Sequence, residues 1–279
     1  MNIKDYRTKR SLANIMIEGT QMTFDFLTSV NQTDTTALDA HNNTHGYDMA
    51  QVSPFPFEQL FIDAIDAEEI HNHNSMAVCG DSLQIMKQMK NGSVKLIFAD
   101  APYNIGKDFG NNSDKWETVQ QYTDWCKLWI DECLRVLSDD GTMYFMTATQ
   151  HMPYLDIYVS EKYNVLCRIV WTYDSSGVQS KKMFGSLYEP KLLERIIKAS
   201  SNEGDIVFDP FAGSFTTSAV AVRLGRIGIG IDLNREYFEM GIRRTGISNE
   251  YNGKLLVKNK VRKTNAKSKY VREKYMKIK

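Results

Sequence analysis

Between Ser75 and Arg244, short apolar runs alternate with stretches whose apolar residues recur every three to four positions. The runs are Met76–Cys79, Val94–Ala99, Thr142–Met146, Val165–Tyr173, Asp205–Asp209 and Ile227–Ile231. Rich in β-branched and large apolar residues, they have the lengths of buried strands. The stretches between them predict helices. One runs from Ser82 to Met89, with Asp81 or Ser82 as N-cap. The next, over 117–137, places Tyr122, Trp125, Leu128, Trp129, Cys133, Leu134 and Leu137 on one side. Others are expected over 151–162, over Leu192–Ala199 after Pro190, over Phe215–Leu224 and over Asn234–Arg244. Gly204 and Gly225 stop two of them, and Asp139-Asp140-Gly141 is expected to turn. Strands alternating with helices predict an α/β fold with a mostly parallel central sheet and helices on both faces.

The ends of the chain lack this rhythm. Residues 1–74 hold polar, turn-like patches such as Asn31–Thr36 and His41–His45. Between them lie short apolar pieces, Phe24–Leu27 and Phe55–Ile62, the second a candidate short helix after Pro56. The reading is an N-terminal extension, partly irregular, over 1–74, a main domain over 75–250 and a basic tail over 251–279. From Lys254 onward the only acid is Glu273. The whole chain of 279 residues has a formal net charge of zero, so it has no general attraction for polyanions. Its four cysteines, Cys79, Cys126, Cys133 and Cys167, form no C-x-x-C pair, which fits a reduced, cytoplasmic setting. No apolar run reaches membrane-spanning length, so no membrane partner is expected. His41 and His45, with His71 and His73 later, complete no known ligand spacing, and no metal is expected.

Two strand ends carry candidate chemistry. The run 94–99 leads into Asp100-Ala101-Pro102-Tyr103. A carboxylate, a carbonyl expected to have no fixed partner, and an aromatic face suit a flat ring bearing an amino group. The run 205–209 leads into the tight turn Pro210-Phe211-Ala212-Gly213-Ser214, and about twenty residues later another strand ends at Asp232, the spacing of a nucleoside-binding crevice. Phe215 stands where G-x-G-x-x-G would have a second glycine, and no lysine follows in phosphate-loop register. That combination favours a cofactor with a ribose and no phosphates, which points to S-adenosylmethionine.

Asp100-Ala101-Pro102-Tyr103 resembles the D-P-P-Y catalytic motif of amino-group DNA methyltransferases, with alanine in the second position. Phe208-Asp209-Pro210-Phe211-Ala212-Gly213-Ser214 resembles their cofactor motif. The catalytic motif comes first, the order of the β group of adenine-N6 methyltransferases. The similarity takes in Gly80-Asp81, Trp171–Lys182 and Leu192–Ile197, and roughly residues 75–250 overall. The runs Tyr173–Gln179 and Gly213–Thr217 are most similar to a solitary bacterial subgroup linked with ATGCAT sites, in which Phe215 is expected.

This resemblance implies a Rossmann-like, class I methyltransferase that moves a methyl group from S-adenosylmethionine to N6 of adenine in DNA, single- or double-stranded. It implies that Asp100 and the carbonyl of Ala101 or Pro102 accept from the target amino group, and that Tyr103 stacks on a base taken out of the duplex. Asp209, Pro210, Phe211, Gly213 and Ser214 are implied at the methionine and ribose part of the cofactor. Asp232 is implied at its ribose hydroxyls and Asp81 at its adenine. The oligomeric state stays open, a dimer included, and so does an accompanying restriction enzyme.

The chain departs from the pattern in one place. A His-Pro-Thr-Gln-Lys-Pro stretch usually precedes the Leu-Leu-x-Arg-Ile helix, and a target-recognition segment lies nearby. Here Tyr188-Glu189-Pro190 runs straight into Lys191-Leu192-Leu193, and most of the recognition segment is missing. Two alternatives follow. The chain is a deleted relative with little or no activity, or DNA contact falls to Lys181, Lys182, the N-terminal extension and the basic tail. The same grip also serves RNA bases and protein glutamine in related enzymes, a rival that the motif order disfavours.

Overall fold

The computed structural model describes residues 11–18, 53–106, 114–172 and 191–256. Among them eight strands form one sheet: β1 (Ser11–Glu18), β2 (Glu68–His71), β3 (Ser75–Cys79), β4 (Val94–Ala99), β5 (Leu137–Ala148), β6 (Asn164–Thr172), β7 (Ile206–Asp209) and β8 (Ile227–Asp232). Their order is β2-β3-β8-β7-β4-β5-β1-β6, and every pairing is parallel except β2 with β3. Among the described residues six helices accompany it: α1 (Ser82–Gln88), α2 (Val119–Val136), α3 (Met152–Lys162), α4 (191–200), α5 (Thr216–Arg223) and α6 (Arg235–Arg244). The expected class, a Rossmann-like α/β domain with a mostly parallel sheet, is the one observed.

Apart from Lys95, which reaches out to pair with Asp140, β4 is apolar because both its faces are covered. Val94, Ile97 and Ala99 join a core with Tyr122, Trp129 and Leu134 of α2. Leu96 and Phe98 join the opposite core with Leu193 and Ile197 of α4 and Val220 of α5. α2 starts where Thr118 and Gln121 make a reciprocal capping box, which satisfies two of the helix's first N–H groups.

Several elements depart from expectation. Ser11–Glu18 and Glu68–His71, both within the span read as an extension, are strands of the central sheet. β1 lies between β5 and β6 and pairs with both, Ile15 opposite Met146 and Ile169. A parallel strand recruited from so far away in sequence leaves no local turn signal. The predicted turn at 139–141 is instead part of β5, with a register shift against β4 between Val94 and Leu96. Beyond α6, the pairs Glu250–Tyr251 (β9) and Lys254–Leu255 (β10) form a small hairpin. Tyr251 packs edge-on against Phe238, 5.5 Å between ring centres, so the start of the predicted tail is docked. Phe57–Leu60 is a single 3₁₀ turn whose Phe57 and Leu60 are buried. Residues 257–279, with the basic run, and His41 and His45 lie outside the described residues.

Candidate active site

The chain order of the strands reverses direction between β7 and β4. From β4 it runs to β5 and then β6 on one side; from β7 it runs to β8 on the other. Such a switch point opens a crevice at the carboxyl ends of the strands. Four adjacent parallel strands, β3, β8, β7 and β4, each deliver one acid there: Asp81, Asp232, Asp209 and Asp100. All four line one cavity of about 980 Å³. Pro102, Pro210, Phe211, Gly213 and Ser214 line it too, so both sequence motifs meet in a single site. Ala101 is buried, 3% exposed, under the first motif. Lys181 and Lys182 lie outside the described residues.

Each acid is held differently. Asp81 caps α1, accepting from Gln84 N at 2.9 Å. Asp209 is buried, accepting from Thr217 Oγ1 at 2.6 Å and Phe211 N at 3.0 Å. Burial, with the nearby charges of Asp100 and Asp232, pushes its carboxyl up to about 7. Asp232 accepts from Gly213 N at 2.8 Å and Asn234 N at 2.7 Å, which ties the end of β8 to the glycine turn. Burial raises it to about 6. Asp100 accepts from the hydroxyl of Tyr103, whose ring is half-buried against the core around Leu96 and Phe98.

The first motif rests on a support that sequence reasoning missed. Tyr122 of α2 is 1% exposed and donates to the carbonyl of Pro102 at 2.9 Å. That carbonyl, expected without a partner, therefore has one. Among the described residues no hydrogen bond engages the carbonyl of Ala101. Asp114, also buried, accepts from Asn104 N at 2.5 Å and Ile105 N at 3.1 Å, and fixes Asn104 in a left-handed turn with φ of 57°. Asp114 sits in a polar loop where nothing local marks it. Tyr122 is visible in the sequence only as one of α2's core-facing residues.

The second motif shows why Phe215 replaces a glycine. Phe215 takes a left-handed conformation, φ 59°, unusual for a bulky residue, and its ring is fully buried. The ring fills space left by Gly230 of β8 and Gly241 of α6. A Cβ at either position would stand 2.6 or 2.4 Å from it.

The lining's charge decides what the cavity takes. Among the described residues Asp81, Asp100, Asp114, Asp209 and Asp232 face it, against one basic residue, Lys115. Phosphates are repelled from such a site, and a cation bearing a nucleoside is favoured. The residues present fit S-adenosylmethionine, which has a sulfonium, an ammonium and no phosphate.

Fold and site together define a class I methyltransferase. A family model described as DNA methylase matches residues 94–192 and 187–243. The chain belongs to this DNA methylase family. It is 37% identical over 270 residues to the DNA adenine methyltransferase YhdJ of Escherichia coli (strain K12), covering 71% of this chain and 92% of that one. It is 28% identical over 239 residues to the type II methyltransferase M.HpaI of Haemophilus parainfluenzae, covering 63% and 75%. Among solved structures, PvuII DNA methyltransferase (cytosine-N4-specific) aligns with a TM-score of 0.46 and 17% identity, over 66% of this chain and 89% of that one.

The missing segment also shows in these matches. Since 71% of 279 residues is roughly 198, roughly 72 of the 270 positions aligned with the Escherichia coli protein have no residue here. The two stretches of the family match meet at 187–192, where the His-Pro-Thr-Gln-Lys-Pro residues are absent.

Proposed function

We infer that this chain is a site-specific DNA methyltransferase that moves the methyl group of S-adenosylmethionine to N6 of adenine. One observation carries the reading: Asp100 and Asp209, the acids of the two motifs, end adjacent strands and line one anionic cavity. The 37% identity to an adenine-specific relative supports the choice of base.

The bound cofactor supplies an electrophilic methyl group on a positive sulfur. The chain's residues do the rest. Asp209, Pro210, Phe211, Gly213 and Ser214 surround its methionine and ribose portion. Asp232 has acceptor capacity left for ribose hydroxyls, and Asp81 faces its adenine. At the target, the N6 lone pair is delocalised into the ring and is a poor nucleophile. Asp100 accepts one N6 hydrogen and the Ala101 carbonyl the other, which draws the nitrogen toward tetrahedral geometry and aims its lone pair. The Asp100 carboxylate also stabilises positive charge developing on that nitrogen. The Tyr103 hydroxyl yields its place on Asp100 to the amino group, freeing the ring to stack on a flipped-out base.

DNA is the substrate partner. Contacts to it fall to Lys181, Lys182 and the basic residues after Lys254, where phosphate binding would be sequence-blind and salt-sensitive. A cytoplasmic setting agrees with four free cysteines, and among the described residues no helix is long and apolar enough to cross a membrane. The roughly 72 missing alignment positions favour one second reading, a chain that binds cofactor and turns over slowly.

Calorimetry with S-adenosylmethionine followed by labelled-methyl transfer to DNA separates the two. Asp100→Ala should keep cofactor binding and lose transfer at least a hundredfold, the scale of a lost transition-state contact of roughly 3 kcal/mol. Undiminished transfer by Asp100→Ala would overturn the assignment of the grip.

A further inference from the structure

The cavity has an aromatic wall as well as its acids. Trp116 and Trp125 stand 4.8 Å apart between ring centres and are tilted by 34°. Trp125 lies 5.9 Å from Phe211, and Phe211 lies 5.3 Å from Trp129 behind it. Trp129 is buried in the core and backs the cavity lining from behind. Trp116, Trp125 and Phe211 are only half-buried, and they line the same cavity as Asp100 and Asp209. These three pack against the core on one side and line the space where a ligand fits on the other.

Both motifs hold this wall in place. Trp116 N–H donates to Asn104 Oδ1 at 2.9 Å, and Asn104 follows Tyr103 directly. Phe211 N–H donates to Asp209 Oδ1 at 3.0 Å. Trp125 sits on α2, one turn from Tyr122, which anchors Pro102. The wall is thus fixed relative to both the catalytic and the cofactor acids. An aromatic face carries negative charge density, so it attracts a nearby cation and is indifferent to a neutral group of the same shape. The acids around it act in the same sense.

We propose that Trp116, Trp125 and Phe211 form a cation-selective wall that holds the sulfonium of S-adenosylmethionine more tightly than the thioether of S-adenosylhomocysteine, making Trp116 and Trp125 the residues that discriminate cofactor from spent product. The proposal rests on the cofactor reading above. It gives the site a means of release: methyl transfer removes the positive charge from sulfur, and the wall's attraction goes with it.

The test is titration calorimetry of the full chain with S-adenosylmethionine and with S-adenosylhomocysteine, on wild type, Trp116→Leu, Trp125→Leu and Trp125→Phe. Each leucine variant should weaken S-adenosylmethionine binding roughly fivefold, the scale of a partly desolvated cation–π contact, and S-adenosylhomocysteine binding less than about twofold. Trp125→Phe keeps a ring face and should restore most of the discrimination, which separates loss of the wall from loss of fold. Equal weakening of both ligands, or no change in their ratio, would overturn the proposal and leave the cofactor reading standing. A wild-type chain that bound neither ligand would overturn both.

Discussion

Replacing Asp209 by asparagine should stabilise the ligand-free protein at alkaline pH while removing its affinity for cofactor. Asp209 is 3% exposed and its carboxyl is raised to about 7 from 3.8, chiefly by burial. A raised carboxyl means that the folded protein binds a proton more tightly than the unfolded chain does. Its contribution to stability is full below pH 4, declines as pH rises, and is gone above about 7. At pH 8 the folded chain must hold a buried charge, at a cost on the order of 4 kcal/mol. Asparagine keeps an acceptor for Phe211 N–H and can donate to the Thr217 hydroxyl, so it should recover part of that, about 1–3 kcal/mol. For a chain of this size that corresponds to a rise of roughly 2–5 °C in melting temperature. At pH 5 the wild-type side chain is already neutral and the gain should vanish. Thermal unfolding of both proteins at pH 5 and pH 8, without ligand, reads this out. A melting difference that is independent of pH, or a loss of stability at pH 8, would refute the reasoning. The same proton makes wild-type cofactor affinity rise as pH increases through 6 to 7, because the bound cation requires the ionised form.

Tyr122→Phe keeps the ring and removes the donor to the Pro102 carbonyl; kcat should fall roughly tenfold, about 1.4 kcal/mol, with cofactor affinity unchanged in calorimetry. Gly241→Ala places a methyl group 2.4 Å from the Phe215 ring and should cost about 1–3 kcal/mol in urea unfolding, since neither the buried ring nor the helix backbone can yield freely. Asn14→Pro interrupts a strand paired on both sides and should cost about 3 kcal/mol or more; an unchanged unfolding midpoint would mean that β1 is not an integral part of the sheet.

What the sequence could reveal depended on how local the cause was. β4 and its neighbours are legible because covering both faces of a strand demands a nearly continuous apolar run, broken in β4 only by Lys95. The acids at strand ends are legible because a parallel sheet puts its site there, and two such ends with a tight turn between strand and helix narrow the ligand. Long-range causes left no such trace. β1 is placed by strands more than a hundred residues away, and its own sequence, Ser-Leu-Ala-Asn-Ile-Met-Ile-Glu, is too short and mixed to declare a central position. The Pro102 carbonyl, expected to have no fixed partner, is met by a donor from the next helix, Tyr122. Phe215 looks like a broken glycine motif until Gly230 and Gly241 are brought against its ring.

The most direct measurement is mass spectrometry of nucleosides from DNA incubated with the purified chain and methyl-deuterated S-adenosylmethionine. The account predicts deuterated N6-methyladenine, absent with Asp100→Ala. Label found instead on cytosine, on RNA or on protein, or no label at all from a chain that binds the cofactor, would contradict it.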